Sequence, residues 1–245
     1  MATRVALVTG GTGAIGTEIC KQLIASGCKV GALGHPSEAG RIEDWKAGVK
    51  SDIAVELCEL GDFIATGAAI RKLEAALGPA DILVNAAGIT RDARLVKQTP
   101  EQWREVISSN LDSVFNATKA VFEGMCARGF GRIVNLSSVN GQKGQFGQAN
   151  YSAAKAGMHG FTMAVAQEGA ARGVTVNTVS PGYVETPMTA SIKPEALAKI
   201  VAQIPLGRMA RPDEIARTVL FLCAQEAGYI TGANIAVNGG LHMGA

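Results

Sequence analysis

Three side chains in the middle of the sequence have the chemistry to protonate or deprotonate an oxygen. Ser138 follows a short apolar run, Ile133–Leu136, and Tyr151 and Lys155 lie four positions apart in a longer run. If that run is a helix, Tyr151 and Lys155 share one face and point into the same cleft. A phenol is a poor acid or base at neutral pH unless a cation such as Lys155 stabilises the phenolate. We therefore expect Tyr151 to exchange a proton with a carbonyl oxygen that the Ser138 hydroxyl holds.

A glycine-rich segment near the start of the sequence indicates a site for a dinucleotide. Thr9–Gly16 follows the apolar run Val5–Val8 and precedes a helical pattern, Thr17–Ser26. Glycines let backbone N–H groups approach a pyrophosphate, and the helix N-terminus adds favourable partial charge. Tight turns use glycine too, so it is the position between strand and helix that favours dinucleotide binding. The expected contacts here are Gly10, Thr12, Gly13, Ala14, Ile15 and Gly16.

Short apolar runs alternate with longer amphipathic stretches along the whole chain. Seven of these runs are predicted strands: Val5–Val8, Lys29–Leu33, Ile53–Leu57, Ile82–Asn85, Ile133–Leu136, Val174–Val179 and Ile235–Val237. Nearly continuous apolar strands separated by helices are typical of a parallel sheet with helices on both faces. We expect one doubly wound α/β domain over residues 1–245, in which residues 187–211 are a strand-free excursion that serves as a substrate lid.

Composition and charge exclude several classes of function. A formal net charge of +2, with no long run of like charges, argues against a nucleic-acid or membrane surface. The five cysteines are far apart and lack C-x-x-C spacing, and the three histidines are scattered, so neither a disulfide framework nor a metal site is expected. No leader-like segment precedes Val5 and no apolar stretch is long enough to cross a bilayer, so we expect a cytoplasmic protein.

Several of these motifs occur together in one known family. The set comprises Thr9–Gly16, Asn85–Gly88, Asn110, Ser138, Tyr151, Lys155 and Pro181-Gly182, and it spans essentially the whole chain. As a set it resembles the short-chain dehydrogenase/reductase family. The resemblance implies a single Rossmann domain with a seven-stranded parallel sheet, commonly a homotetramer, in which Tyr151 and Lys155 also contact the nicotinamide cofactor. It further implies that Asn110 holds a water that links Lys155 to solvent as a proton relay.

The same resemblance assigns further cofactor contacts. Asn85, Ala86, Ala87 and Gly88 would line the adenosine and ribose, and the adenine and nicotinamide would be flanked by Glu59, Leu60, Pro181, Gly182 and Val184. Ala14 departs from the pattern, because the family usually has glycine there. This puts the closest backbone approach to the pyrophosphate in doubt, although Gly13 lies beside it.

The choice between NADH and NADPH depends on the loop after the second predicted strand, where Gly34, His35, Ser37, Glu38 and Arg41 are expected contacts. Glu38 would repel a 2′-phosphate or accept hydrogen bonds from ribose hydroxyls, whereas Ser37 and Arg41 could bind that phosphate. Both cofactors therefore remain open, and Glu38 tips the prediction slightly toward NADH.

Within the family, three stretches are similar to a group of bacterial reductases that act on acetoacetyl-CoA. These stretches are Gly88–Asp92, Ser137–Gln148 and Asn238–Gly244. The similarity implies reduction of acetoacetyl-CoA to (R)-3-hydroxybutyryl-CoA for polyhydroxybutyrate synthesis. The side chains that would face this substrate are Asp92, Ser138, Gln145, Phe146, Gln148, Tyr151, Tyr183 and Lys193. Amides and a phenol suit a thioester and its pantetheine arm, and a lysine suits a phosphate.

Two other functions compete with this interpretation. A 3-oxoacyl-acyl-carrier-protein reductase of fatty-acid synthesis shares the fold and the catalytic set, and Arg128, Arg132 and Arg172 could form a basic face for an acidic carrier protein. A dinucleotide-sensing protein without turnover is a different class. The complete Ser138, Tyr151 and Lys155 set argues against it, because a sensor needs no proton donor.

Overall fold

Seven parallel strands form one sheet in the order β3-β2-β1-β4-β5-β6-β7. A computed structural model describes residues 3–190 and 193–244 of the chain. Every predicted strand is found, and the largest differences are that two strands are longer than predicted, beginning at Gly131 and ending at Pro181. The strands are β1 (Val5–Thr9), β2 (Lys29–Gly34), β3 (Ala54–Leu57), β4 (Ile82–Asn85), β5 (Gly131–Leu136), β6 (Val174–Pro181) and β7 (Asn234–Val237).

Helices cover both faces of this sheet, which confirms the predicted doubly wound α/β fold. They are α1 (Ala14–Ala25), α2 (Ile42–Val49), α3 (Phe63–Leu77), α4 (Pro100–Ile107), α5 (Ser113–Arg128), α6 (Val139–Lys143), α7 (Ala149–Ala170), α8 (Pro187–Ala190), α9 (Pro194–Val201) and α10 (Pro212–Cys223). Short 3-10 turns lie at Pro36–Arg41, Leu95–Lys97 and Gln225–Ala227, and a π-helical turn at Ser108–Asp112 joins α4 to α5.

The core consists of one apolar layer on each face of the sheet. On one face α1 and α10 pack against the strands, with Ile19, Leu23, Ile215, Val219 and Leu222 buried. On the other face the layer is formed by α3, α5 and α7, with Ile70, Leu73, Val121, Met125 and Ala166 buried. Burial of each large aliphatic side chain contributes about 1.5–3 kcal/mol, so these layers fix the positions of the strand ends.

The parallel register brings the carboxyl ends of the strands to one edge of the sheet. Thr9 at the end of β1 is paired with Leu33 of β2 and with Asn85 of β4, and Leu136 at the end of β5 is paired with Val179 of β6. The chain turns to opposite sides of the sheet after β1 and after β4, and such a reversal opens a crevice between two adjacent strand ends. The glycine-rich turn, Ser138 and Gly182 each follow a strand end at this edge.

Residues 187–211 lack a strand within their described part, as predicted, and the ends of the excursion are fixed. Val184 and Ala210 form an isolated parallel bridge, in which the Glu185 N–H donates to the Ala210 carbonyl at 2.8 Å. Positions 191 and 192 lie outside the described residues, and the lid role of the excursion stays a prediction. Within the described chain, no helix combines the length and apolar character that a membrane crossing requires.

The predicted basic face is not formed by all three of its arginines. Arg128 and Arg172 are exposed, but Arg132 is only 4% exposed. Its guanidinium donates to the carbonyls of Ala224 at 3.1 Å and Gly173 at 3.3 Å. The expectation for Arg132 was wrong, because sequence position at the start of a strand does not reveal that helix ends close over it.

Candidate active site

Helix α7 presents Tyr151 and Lys155 on one face, one turn apart, as the spacing predicted. The Lys155 ammonium lies 5.7 Å from the centre of the Tyr151 ring. Helix α6 packs tightly on this turn, since a Cβ atom on Gly141 would lie 2.8 Å from the Lys155 carbonyl carbon. Only a glycine permits this contact, and Ser138, the residue just before α6, lies within hydrogen-bond reach of Tyr151.

Lys155 is a buried cation. Its side chain is held by a 2.7 Å hydrogen bond from Nζ to the carbonyl of Leu136, the last residue of β5. Burial disfavours the charged ammonium and lowers the pKa of Lys155 to about 7. The lysine is therefore poised to hold or release a proton near neutral pH.

Asn110 lies in the π-helical turn and is fully buried. Its amide donates to the carbonyls of Ile89 at 2.9 Å and Val106 at 2.8 Å, while its Oδ1 atom has no partner among the described residues. A Cβ atom on Gly88 would collide with that Oδ1 and would lie 3.4 Å from Lys155 Nζ, so both atoms border one small space. A free acceptor beside an ammonium suits a bridging water, the arrangement that the family resemblance implied.

Tyr151 and Ser138 form the part of the site that would meet a substrate oxygen. Burial raises the pKa of Tyr151, a hydrogen bond with Ser138 works in the opposite direction, and the charge of Asp92 raises it further. The Ser138 Oγ accepts a 3.1 Å hydrogen bond from the Asn140 N–H, which fixes the hydroxyl while its own proton stays available. Because burial is the largest of these effects, Tyr151 is kept protonated, the state that a proton donor needs.

The turn between β1 and α1 has the backbone shape that a pyrophosphate requires. Gly10 has a positive φ of 61°, and a Cβ atom there would lie 2.7 Å from the Ala87 Cα. A Cβ on Gly16 would collide with the Gly10 carbonyl oxygen. The N-terminus of α1 has no side-chain cap at Gly13, so the first N–H groups of the helix remain available for an anion. The turn therefore fits a dinucleotide, and Ala14 is the first residue of α1.

Glu38 lies where the loop after β2 meets that glycine-rich turn. Its carboxylate accepts hydrogen bonds from the Thr12 hydroxyl, from the His35 N–H at 3.1 Å and from the Arg41 guanidinium. Although partial burial opposes it, these bonds lower the pKa of Glu38, so the group stays ionised. A Cβ on Gly34 would touch the same carboxylate at 2.7 Å. The charge of Glu38 thus faces the crevice, and Arg41 is engaged by it.

The remaining predicted cofactor residues fall into two groups. Some are available at the crevice: the His35 ring bridges Ser37 at 2.7 Å and Glu59 at 2.9 Å on the exposed side of β2 and β3. Others are committed to the interior. The Asn85 amide donates to Asn135 Oδ1 at 2.8 Å inside the sheet, and the residues buried beside the crevice are Leu60, Pro181 and Val184.

The predicted substrate residues are only partly brought together. The Gln148 amide nitrogen donates to both Asp92 carboxylate oxygens, at 3.0 and 2.9 Å, and burial and the Asp92 charge raise the pKa of Tyr183. Phe146 and Lys193 are exposed, and Gln145 accepts a 3.1 Å hydrogen bond from Lys143. The roles of these residues toward a substrate stay predictions.

Sequence reasoning missed Asn140 and Gly141. Asn140 is buried and donates from Nδ2 to Gln148 Oε1 at 2.9 Å, and Gly141 sets the spacing of α6 and α7. The close packing of Gly141 has no signature in a single sequence. The position of Asn140, two residues after Ser138, was the only available signal.

Comparison with known proteins agrees with this geometry. A family profile described as enoyl-(acyl carrier protein) reductase matches residues 11–242. The chain belongs to the short-chain dehydrogenase/reductase family. As a member of this family, it is an oxidoreductase that uses a nicotinamide dinucleotide.

Three curated relatives extend over nearly the whole chain. The sequence is 58% identical to an acetoacetyl-CoA reductase of Allochromatium vinosum, over 98% of this chain and 99% of the relative. It is 51% identical to the acetoacetyl-CoA reductase of Cupriavidus necator, over 100% of both chains. Identity to the 3-oxoacyl-acyl-carrier-protein reductase of Escherichia coli is 43%, over 98% of each chain.

Proposed function

We propose that this short-chain dehydrogenase/reductase reduces acetoacetyl-CoA to (R)-3-hydroxybutyryl-CoA, the step that supplies polyhydroxybutyrate synthesis. The observation that carries the proposal is the identity of 58% and 51%, over whole chains, to relatives that bear the name acetoacetyl-CoA reductase. The complete catalytic set in one cleft supports turnover over a sensing role.

The protein's own residues account for the proton side of this reaction. When bound, the reduced nicotinamide supplies a hydride to the substrate carbonyl carbon. The Ser138 hydroxyl holds the carbonyl oxygen, and Tyr151, kept protonated by burial, donates a proton to it. Lys155, whose pKa is about 7, then returns a proton toward the phenol, and the free Oδ1 of Asn110 holds the water that resupplies Lys155.

The second candidate is a 3-oxoacyl-acyl-carrier-protein reductase, which the Escherichia coli relative favours. Arg172 and Arg128 are exposed, although the Arg128 guanidinium also donates to the Ala80 carbonyl, and Arg132 is buried. Rates with acetoacetyl-CoA and with the acetoacetyl carrier protein distinguish the two functions. We expect kcat/KM to be at least about tenfold higher for the CoA thioester, a transition-state difference of about 1.4 kcal/mol. Preference for the carrier thioester, or an (S)-alcohol in chiral analysis, would contradict the proposal.

For the cofactor we propose that NADH is used and is slightly preferred. The support is the ionised Glu38 carboxylate, which faces the crevice and engages Arg41, the cation that would otherwise meet a 2′-phosphate. A 2′-phosphate would add like charge beside Glu38, whereas ribose hydroxyls can donate to it.

We also propose that the enzyme is a homotetramer in the cytoplasm. One apolar patch supports assembly with further copies of the chain: the rings of Phe63 and Phe115 stack at 6.1 Å across α3 and α5, both about half exposed, and Ile64 is beside them in sequence and exposed. The five cysteines are unpaired, as is usual in a reducing compartment. Sedimentation of the wild type and of Phe115→Asp tests the assembly, and an unchanged mass for the variant would place the interface elsewhere.

A further inference from the structure

We propose that Asn140 is a positioning residue that orients Gln148 and, through it, the Asp92 carboxylate at the mouth of the catalytic cleft. The three side chains form one hydrogen-bonded relay, which connects the loop after β4 to helix α6. Asn140 Nδ2 donates to Gln148 Oε1 at 2.9 Å, and Gln148 Nε2 donates to both Asp92 oxygens, at 3.0 and 2.9 Å. The Gln148 amide thus links Asn140 to Asp92 by hydrogen bonds on both sides.

The direction of this relay follows from hydrogen-bond chemistry. An ionised carboxylate only accepts hydrogen bonds, so Gln148 must present its NH2 group to Asp92 and its oxygen to Asn140. Asn140 must then present its own NH2 group to Gln148. The opposite amide orientations would place an oxygen against the carboxylate. The charge of Asp92 therefore determines the orientation of both amide groups. Asn140 is buried beneath the cleft, so it anchors the inner end of the hydrogen-bonded chain.

Two further contacts connect the relay to the reacting groups. The Asn140 N–H donates to Ser138 Oγ at 3.1 Å, so one residue holds both the catalytic serine and the relay. The Ala93 N–H also donates to the Gly147 carbonyl at 2.9 Å, which joins the loop after β4 to the segment between α6 and α7, next to the contact between Asp92 and Gln148. Asp92 is exposed, and its charge acts on Tyr151 and Tyr183.

The relay has a use that rests on the proposed function. Asp92 uses only part of its accepting capacity on Gln148, so the carboxylate can accept from a further donor at the mouth of the cleft. An acyl-CoA carries amide N–H groups on its pantetheine arm. Holding Asp92 in one place offers such a donor a charge-assisted hydrogen bond without an ordering cost at binding. The relay should therefore act on KM for the thioester.

The test uses substitutions that reverse the order of donors and acceptors along the relay. Asn140→Asp places an acceptor against Gln148 Oε1, so Gln148 cannot donate to Asp92 and satisfy residue 140 together. We expect KM for acetoacetyl-CoA to rise about tenfold, the loss of one hydrogen bond to a charged group, with the dissociation constant of NADH within about twofold. Adding Asp92→Asn restores a relay of opposite direction, in which Gln148 donates to the new carboxylate at position 140 and accepts from the new amide at position 92. KM for acetoacetyl-CoA should be at least about threefold lower in the double variant than in Asn140→Asp alone.

Lys143→Gln is the matched control, because it changes the charge of α6 by the same amount outside the relay. KM should stay within about twofold of wild type. If Asn140→Asp alone does not fold, the same rescue is measured between Gln148→Glu and Asp92→Asn, since a carboxylate at position 148 accepts from Asn140 and from the amide introduced at position 92. Additive effects of the paired substitutions, or a fall in kcat at constant KM, would overturn the proposal.

The relay can also be tested without a substrate. The melting temperatures of the two single variants and the double variant form a cycle, and rescue in the double variant is expected from the hydrogen bonds alone. If acetoacetyl-CoA is not reduced at all, the proposed function fails while this cycle still decides the relay. An additive cycle overturns the relay even if the proposed function holds.

Discussion

Two cations are buried at opposite edges of the sheet, and they are held in different ways. Arg132, at the amino end of β5, donates to the carbonyls of Gly131, Gly173, Ala224 and Gln225, and lies 4.4 Å from the centre of the Phe130 ring. Lys155, at the carboxyl end, donates to the Leu136 carbonyl at 2.7 Å. Neither is among the side chains that form salt bridges in the described part of the chain.

The difference separates a structural cation from one to which we assign a catalytic role. The Arg132 guanidinium stays charged and adds a donor to four backbone carbonyls near the ends of helices and strands, of which those of Gly173 and Gln225 also accept from backbone N–H groups. The Lys155 ammonium has three donors, and the carbonyl it contacts uses one of them, so the others can serve a cofactor or a water. Its pKa of about 7 makes its charge adjustable near neutral pH, at a cost in stability.

The largest effect is expected at the group that Lys155 serves. Tyr151→Phe removes the proton donor and leaves the dinucleotide contacts in place, so kcat should fall by at least about 10²-fold. Fluorescence titration with NADH should give a dissociation constant within about twofold of wild type. A variant that keeps more than about a tenth of wild-type kcat would mean that Tyr151 is not the acid.

Arg132→Met should destabilise the protein without affecting the chemistry. Four carbonyls lose a donor, although those of Gly173 and Gln225 keep a backbone N–H donor, and we expect the free energy of unfolding to fall by about 3 kcal/mol. Urea unfolding measures it, with exposed Arg172→Met as the control that stays within about 0.5 kcal/mol of wild type. Equal stability of the two variants would show that Arg132 is dispensable at its edge of the sheet.

Lys155→Met should have the opposite effect on the free energy of unfolding and raise it. The unfolded lysine titrates at its ordinary value, the folded one near 7, so the unfolded state binds more protons between these values. Wild-type stability should therefore rise as pH increases above 7. The variant, inactive, should be more stable at pH 7 by about 2 kcal/mol and lose that rise. Melting temperatures of both proteins at pH 7 and pH 9 check both statements. A variant less stable than wild type at pH 7 would contradict the interpretation that the buried, charged lysine destabilises the fold.

The smallest effect is expected at Glu38. Its hydrogen-bonding capacity is neither fully used, as that of Arg132 is, nor mostly free, as that of Lys155 is. Glu38→Gln removes the repulsion of a 2′-phosphate and releases Arg41. The ratio of kcat/KM for NADPH to that for NADH should rise about tenfold, or about 1.4 kcal/mol. An unchanged ratio, or a wild-type preference for NADPH above about a hundredfold, would show that Arg41 governs the choice.

The sequence was sufficient for the strands and for the helix face that carries Tyr151 and Lys155. Continuous apolar runs such as Val174–Val179 allow one interpretation, and a four-residue spacing has one meaning on a helix. It was insufficient wherever tertiary packing determines the burial or the contacts of a side chain. Arg132 looks like a surface cation until two helix ends close over it, and the link between Asn140 and Asp92 joins loops that are far apart in the chain. The pKa of Tyr151 followed burial, which no spacing shows.

The π-helical turn at Ser108–Asp112 has a consequence for the phase of the helices on either side. One residue turns an α-helix by about 100°, and a π turn accommodates one extra residue. The apolar face of α5, with Val114, Ala117 and Val121 buried, is therefore offset from that of α4, where Val106 is buried. Deleting one residue from the turn would make a regular rod, but it would rotate one helix out of the core. The position of Asn110 is thus fixed, because the buried faces of α4 and α5 determine the rotation of each helix about its axis.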